Sequence, residues 1–267
     1  MRFIQTATIR LCVDVQGNGP NLLFVGGTGW DLRQQPNPLT SPLVAHFKVA
    51  LFDQRGMGQS DKPQGPYRMS DYAEDAVALM DALEWDRAHL VGYSFGGMVA
   101  QELAITFPDR FDRVVLAASS PGGAGGSSFP IEKFLDLAPH ERARRGLGTA
   151  DKRFTPEFQR LNPEVAAQMI EKRVLAQTTY AHEDGAKQGL RAQLAARAQH
   201  DCHDRLSRIS AETLVLAGTY DGQADKDVQL QMTSQIPLGQ FVQIEGGHGF
   251  LFESHEAYEQ MVAFLTG

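Results

Sequence analysis

A chain of 267 residues, 42% hydrophobic and 21% charged, is long enough to bury a sizeable core and unlike disordered or fibrous sequences. Its formal net charge of -7 offers no basic patch to displace counterions from phosphates, which excludes nucleic acid as an expected partner. No run approaches the roughly 18 apolar residues of a membrane span, no signal peptide is read, and two distant cysteines make no disulfide framework, so a cytoplasmic protein off the membrane is expected.

The opening MRFIQTATIRLCVDV alternates hydrophobic and polar residues as a strand does, with Cys12 a small strand residue. Residues 22–25 form an apolar run that meets Gly26-Gly27-Thr28-Gly29, a buried strand ending in a tight loop. A second such run, 49–52, ends in Asp53-Gln54-Arg55-Gly56. Tyr72, Ala73, Ala76, Val77, Met80 and Leu83 recur at helical spacing, which predicts a helix over 70–85 with Ser70 as N-cap. Residues 89–92 read as a third strand, 95–107 as a buried helix stopped by Pro108, and 114–118 as a fourth strand.

The texture then changes. Residues 119–128, SSPGGAGGSS, predict a flexible connection, and 130–209 is helical in flavour with no convincing strand. Alternation resumes with a strand at 213–217, a helix near 224–236, a strand at 240–244 and a helix at 253–265. The pattern implies an α/β fold: a mostly parallel sheet flanked by helices and interrupted by a helical lid. The expected division is core over 1–121, lid over 122–209 and core again over 210–267.

Gly92-Tyr93-Ser94-Phe95-Gly96 fits G-x-S-x-G, with an apolar strand before it and an apolar helix after it. A serine at such a sharp turn presents an exposed hydroxyl in a strained backbone, which marks Ser94 as the candidate nucleophile. Serine needs a base. Of eight histidines, His89 is expected to be packed, and His46, His140, His182 and His255 to be solvated. His248, in Glu245-Gly246-Gly247-His248-Gly249-Phe250, hangs in a glycine-flanked loop after the last strand and is the candidate base. His200 and His203 flank Cys202, but their spacing matches no zinc pattern and no metal is expected. Asp221, after the 213–217 strand, is the candidate orienting carboxylate, with Asp225 as second choice. The order Ser94, Asp221, His248 is the one this chemistry takes on a parallel sheet. Amide donors for a tetrahedral oxyanion are expected from Phe95 and from Thr28, with Gly27 and Gly29 as alternatives to Thr28.

These blocks resemble the α/β-hydrolase superfamily over essentially the whole chain, in the branch of enol-lactonases, esterases and carbon–carbon bond hydrolases. The match is carried by Asp53-Gln54-Arg55-Gly56-Met57-Gly58-Gln59-Ser60 (D-x-R-G-x-G-x-S), the 92–97 elbow, and Gly218–Asp221 with Gly247-His248. The resemblance implies that Asp53 and Arg55 shape loops and have no catalytic role. One departure is that members usually begin the oxyanion loop with His-Gly, where this chain has Gly26-Gly27. The loop also lacks the His-Gly-x-Gly-Pro-Gly pattern that the resemblance associates with carbon–carbon hydrolases, and serine at the elbow disfavours haloalkane dehalogenase and epoxide hydrolase chemistry.

The expected function is hydrolysis of a small-molecule carboxylic ester or lactone through an acyl-serine, without cofactor. The alternatives are a carbon–carbon bond or thioester hydrolase, and a non-catalytic ligand-binding member of the fold. Trp30 is a candidate pocket residue, and Phe129, Phe134, Leu135 and Met169 are candidate apolar lining from the lid.

Overall fold

The computed structural model describes all residues, Met1–Gly267. Eight strands form one sheet: β1 (Arg2–Gln5), β2 (Arg10–Gln16), β3 (Asn21–Val25), β4 (Lys48–Phe52), β5 (Ala88–Tyr93), β6 (Phe111–Ala117), β7 (Glu212–Gly218) and β8 (Gly239–Ile244). Their spatial order is β1-β2-β4-β3-β5-β6-β7-β8. The pairings of β1 with β2 and β2 with β4 are antiparallel, and the remaining five are parallel. The N-terminal alternating stretch is therefore two strands, because Thr6 turns the chain: its hydroxyl accepts from the Ile9 amide and donates to the Ile9 carbonyl.

The nine helices are α1 (Leu43–His46), α2 (Met69–Ala82), α3 (Phe95–Thr106), α4 (Pro139–Ala150), α5 (Pro156–Leu161), α6 (Pro163–Thr178), α7 (Ala186–Ala198), α8 (Lys226–Gln235) and α9 (His255–Thr266). Successive strand residues point to opposite faces, so the sheet builds two cores. Leu23, Val25, Leu90, Val114, Leu116 and Val215 pack with α2, α3 and Met232 of α8. Leu22, Phe24, Val91, Val115, Leu214 and Leu216 pack with Leu43 of α1 and Met261 and Leu265 of α9. Burying such side chains stabilises by about 1.5–3 kcal/mol each, which is why these short runs are so nearly pure Leu and Val. The longest helix, α6, has 16 residues, and no helix is long and apolar enough to cross a membrane.

Two sequence expectations need correction. Helix α2 begins at Met69 rather than Ser70: Arg68 is the N-cap, and the carboxylate of Asp71 accepts from its amide at 2.8 Å. It ends at Ala82, before Glu84 adopts a left-handed φ of 58° and Trp85 turns into the core. The 119–128 segment is not a free connection. It holds a helical turn at Gly123–Gly125, Gly122 bridges Asp201, and the Cys202 amide donates to the Pro121 carbonyl at 2.9 Å. Entry to and exit from the inserted helices are thus stitched together, which glycine content alone could not reveal.

Candidate active site

The loops after β3, β5, β7 and β8 converge at the C-terminal edge of the parallel strands, where an open α/β sheet binds ligands. Ser94 joins β5 to α3 in a conformation other residues avoid, φ 56° and ψ -117°. The strain is held by surroundings that leave no alternative. The Ser94 amide donates to Ala117 on β6 at 2.8 Å, while a Cβ at Gly92 would meet Gly96 and one at Gly96 would meet the backbone of Val25 and Gly26. Ser94 also stands at the N-terminus of α3, the positive end of its dipole.

His248 lies 2.9 Å from the serine, Nε2 to Oγ, and its Nδ1 lies 2.8 Å from Oδ2 of Asp221. The other Asp221 oxygen accepts from the amides of Gln223 and Ala224 at 2.7 and 2.9 Å. Ser94 is 8% exposed, His248 9% and Asp221 not at all, so the serine and histidine keep a narrow opening while the carboxylate is sealed. Tyr93 supports the histidine loop by donating from its hydroxyl to the His248 carbonyl at 2.8 Å, and burial pushes that hydroxyl's pKa far above its ordinary value. Asp225, the second choice for the acid, instead caps α8 through the Asp227 amide and pairs with Lys152 at 2.8 Å. The Lys152 hydrogen bond holds its carboxyl below the usual range.

The loop after β3 passes beside the serine. A Cβ at Gly27 would stand 3.4 Å from that of Ser94. The amide of Gly29 is taken by the Gln193 side chain of α7 at 2.8 Å, which removes Gly29 as a free donor. The amides of Thr28 and Phe95 donate to no group of the protein; Phe95 is the first residue of α3 and has no intrahelical acceptor. Gly26 stands where a histidine was expected because Trp30 fills that space: a Cβ there would lie 2.5 Å from the indole. Trp30 packs in turn near Phe24 and Phe252, with centroids 6.3 and 5.8 Å away.

The D-x-R-G-x-G-x-S block braces these loops. Asp53 accepts from the amides of Leu32 and Gln59 at 2.7 and 2.8 Å, and burial pushes its carboxyl up to about 7. Arg55 forks onto Asp75 of α2 at 2.7 and 2.8 Å. Among the candidate lining residues, Phe129 and Phe134 pack together with centroids 5.5 Å apart, and Met169 packs against the small core between α4 and α6. His89 is half-buried, and His46, His140, His182 and His255 are exposed as expected. Cys202 donates to Gln101 at 3.1 Å and lies 3.6 Å from His200, in a buried polar cluster behind the site.

Residues 20–256 match the family model for the alpha/beta hydrolase fold. The chain belongs to the α/β-hydrolase fold family. This α/β hydrolase is 32% identical to 3-oxoadipate enol-lactonase 2 of Acinetobacter baylyi over 77% of its own length and 73% of the relative's. It is 30% identical to a putative carbamate hydrolase of Caulobacter segnis over 86% and 85% of the two chains. Among solved structures it resembles a hydrolase from Pseudomonas aeruginosa PA01 at 28% identity, with a TM-score of 0.81 over 100% and 98% of the chains.

Sequence reading missed three contributors that come from the inserted helices and the strand before the elbow. Gln193 anchors Gly29, Ala150 accepts the His248 amide at 2.6 Å, and Tyr93 holds the His248 carbonyl. Tyr93 alone carried a signal, since it sits inside the elbow motif. Gln193 and Ala150 are helix residues whose partners lie 164 and 98 positions away, and no local pattern marks them.

Proposed function

We propose that this α/β hydrolase cleaves a carboxylic ester or lactone of a small molecule, with Ser94 as nucleophile, His248 as general base and Asp221 as its orienting carboxylate. The observation that carries this reading is the two-bond relay, 2.9 Å from serine to imidazole and 2.8 Å from imidazole to carboxylate. The Ser94 hydroxyl attacks the carbonyl carbon as its proton passes to His248 Nε2. Asp221 fixes the ring with its Nδ1 proton inward and stabilises the imidazolium that forms. The tetrahedral oxyanion is received by the free amides of Phe95 and Thr28, aided by the dipole of α3. Collapse expels the alkoxide, which takes the proton from His248 and leaves an acyl-serine. Water then loses a proton to His248, attacks the acyl carbon and frees Ser94.

Nucleophile, base and amide donors suffice for this sequence, so it calls for no cofactor. The inserted helices, 122–209, act as the lid, and Trp30 forms part of the pocket wall. Names borne by the relatives, enol-lactonase and carbamate hydrolase, also describe attack at an acyl carbon. Purified protein is assayed against short p-nitrophenyl esters and simple lactones, beside Ser94→Ala and a fluorophosphonate probe. The expected result is labelling confined to Ser94 and a fall in kcat of at least about 10³-fold in the variant. Equal turnover by Ser94→Ala would sink the assignment.

A further inference from the structure

The inserted helices meet both the acid loop and the base loop where α4 ends. There Ala150 accepts the His248 amide at 2.6 Å, the Lys152 amide donates to the Tyr220 carbonyl at 2.9 Å, and Asp151 bridges Asp221. The fit leaves no slack. A Cβ at Gly247 would stand 2.5 Å from that of Asp151 and 2.7 Å from its Oδ2, and one at Gly222 would stand 2.5 Å from the Thr149 carbonyl oxygen. The two loops are also joined to each other, since the Tyr220 amide donates to the Gly246 carbonyl at 2.8 Å.

One side chain, Arg153, touches all three segments. Its guanidinium forks onto Asp151, Nε to Oδ1 at 3.0 Å and Nη2 to Oδ2 at 2.7 Å. It lies over the ring of Tyr220, the residue before Asp221, 4.4 Å from the centroid, and it reaches Glu245 of the base loop at 3.5 Å. Every hydrogen bond that the Asp151 carboxylate accepts comes from Arg153. The pair is lopsided in exposure, 6% for the Asp151 side chain and 42% for that of Arg153. An exposed ion pair contributes little, but a buried carboxylate stripped of its cation is strongly unfavourable. Here that carboxylate is packed against Gly247, next in the chain to the base.

We propose that Arg153 and Asp151 are a positioning pair: Arg153 neutralises the carboxylate packed against Gly247 and stacks on Tyr220, which keeps the His248 and Asp221 loops in register. The proposal rests on the serine-hydrolase reading above and names what holds that site together. Neither residue touches substrate. Loss of Arg153 leaves a bare carboxylate beside the base loop, which draws in water or pushes the loop aside. A displacement of about 1 Å costs about 10²-fold in rate.

The test reads turnover of a short p-nitrophenyl ester and the rate of Ser94 labelling by a fluorophosphonate. Wild type is compared with Arg153→Gln, Asp151→Asn, the double variant and Arg153→Lys, each well below its melting temperature. There a merely weakened fold leaves the rate per folded molecule unchanged. Arg153→Gln is expected to lower kcat and the labelling rate alike, by at least about tenfold, with KM within about twofold of wild type. Removing both partners leaves no bare charge, so the double variant should regain at least about threefold over Arg153→Gln. Arg153→Lys keeps the charge without the fork and should fall between wild type and Arg153→Gln. Unchanged kcat and labelling in Arg153→Gln, a loss carried by KM, or losses that simply add in the double variant would overturn the positioning pair. Absence of both Ser94 labelling and turnover in the wild type overturns the serine-hydrolase reading instead.

Discussion

Asp221 divides its two oxygens between tasks, one receiving the imidazole of His248 and the other the amides of Gln223 and Ala224. That division makes a conservative change informative. In Asp221→Asn the carboxamide oxygen stays on the two amides, which turns its NH₂ toward Nδ1 and stabilises the wrong imidazole tautomer. Turnover should drop by about 10⁴-fold while the circular dichroism spectrum stays that of the wild type. A variant retaining most of its kcat would show that another carboxylate serves the base. At this scale the sequence was most legible. Ser94, Asp221 and His248 each follow a strand, and glycine or turn residues mark the loops that present them. Asp225 was separable from Asp221 because a carboxylate just ahead of a helical run reads as a cap, and it does cap α8. Illegible were Gly26 and Trp30: nothing in G-G-T-G-W says that the indole folds back over the first glycine, since that contact is set by the aromatic wall of Phe24 and Phe252.

The core helices and strands given bounds from the sequence were placed to within a few residues, because runs such as LLFV and VVLA bury completely and carry their own period; the N-terminal stretch proved to be two strands, and the helices within 130–209 had no bounds to compare. A further misread element was 119–128. Its glycines suggested slack, but several carry positive φ to make close turns against the chain returning from α7. His200 sits at that return, buried, and burial pushes its pKa down to about 4. Glu102 and Asp201 pull the other way and Arg205 adds to the depression, all three weaker than burial. A histidine held neutral in the fold stabilises fully above its unfolded pKa of about 6.5, and that contribution is lost as pH falls from there through 4. The full loss is on the order of 3 kcal/mol. Asp53, raised to about 7, works in the opposite sense and weakens the fold as pH climbs from about 4 to 7. Subtracting a His200→Gln variant isolates the histidine. Its urea midpoint should fall less than the wild-type midpoint between pH 7.5 and 5, and parallel losses would refute the assignment.

Across the whole molecule, the inserted helices reach the catalytic loops at separate points. Gln193 holds Gly29, Glu183 pairs with Arg33 at 2.6 Å, and Asp151 bridges Asp221. Gln193→Leu keeps the side chain's bulk and removes the acceptor for the Gly29 amide. A buried amide left unsatisfied costs about 1–3 kcal/mol, and the Thr28 amide one residue earlier loses its fixed direction. The expected result is a lower melting temperature together with a fall in kcat that exceeds any rise in KM. A change confined to melting temperature would mean that the loop is set by the sheet alone. These couplings were beyond the sequence, because they join segments 70 to 164 residues apart and involve loop or helix positions that no local period marks.

The bond from the His248 amide to the Ala150 carbonyl has a consequence in time rather than space. Ser94 is synthesised early and sits on strands that can pair at once, but its histidine arrives 154 residues later and is seated partly by a helix made in between. A growing or truncated chain therefore carries a serine with no base beside it. On the mechanism proposed above, hydrolytic competence is expected only when the last strand is in place and the insertion has settled on it, so that turnover would report completed assembly.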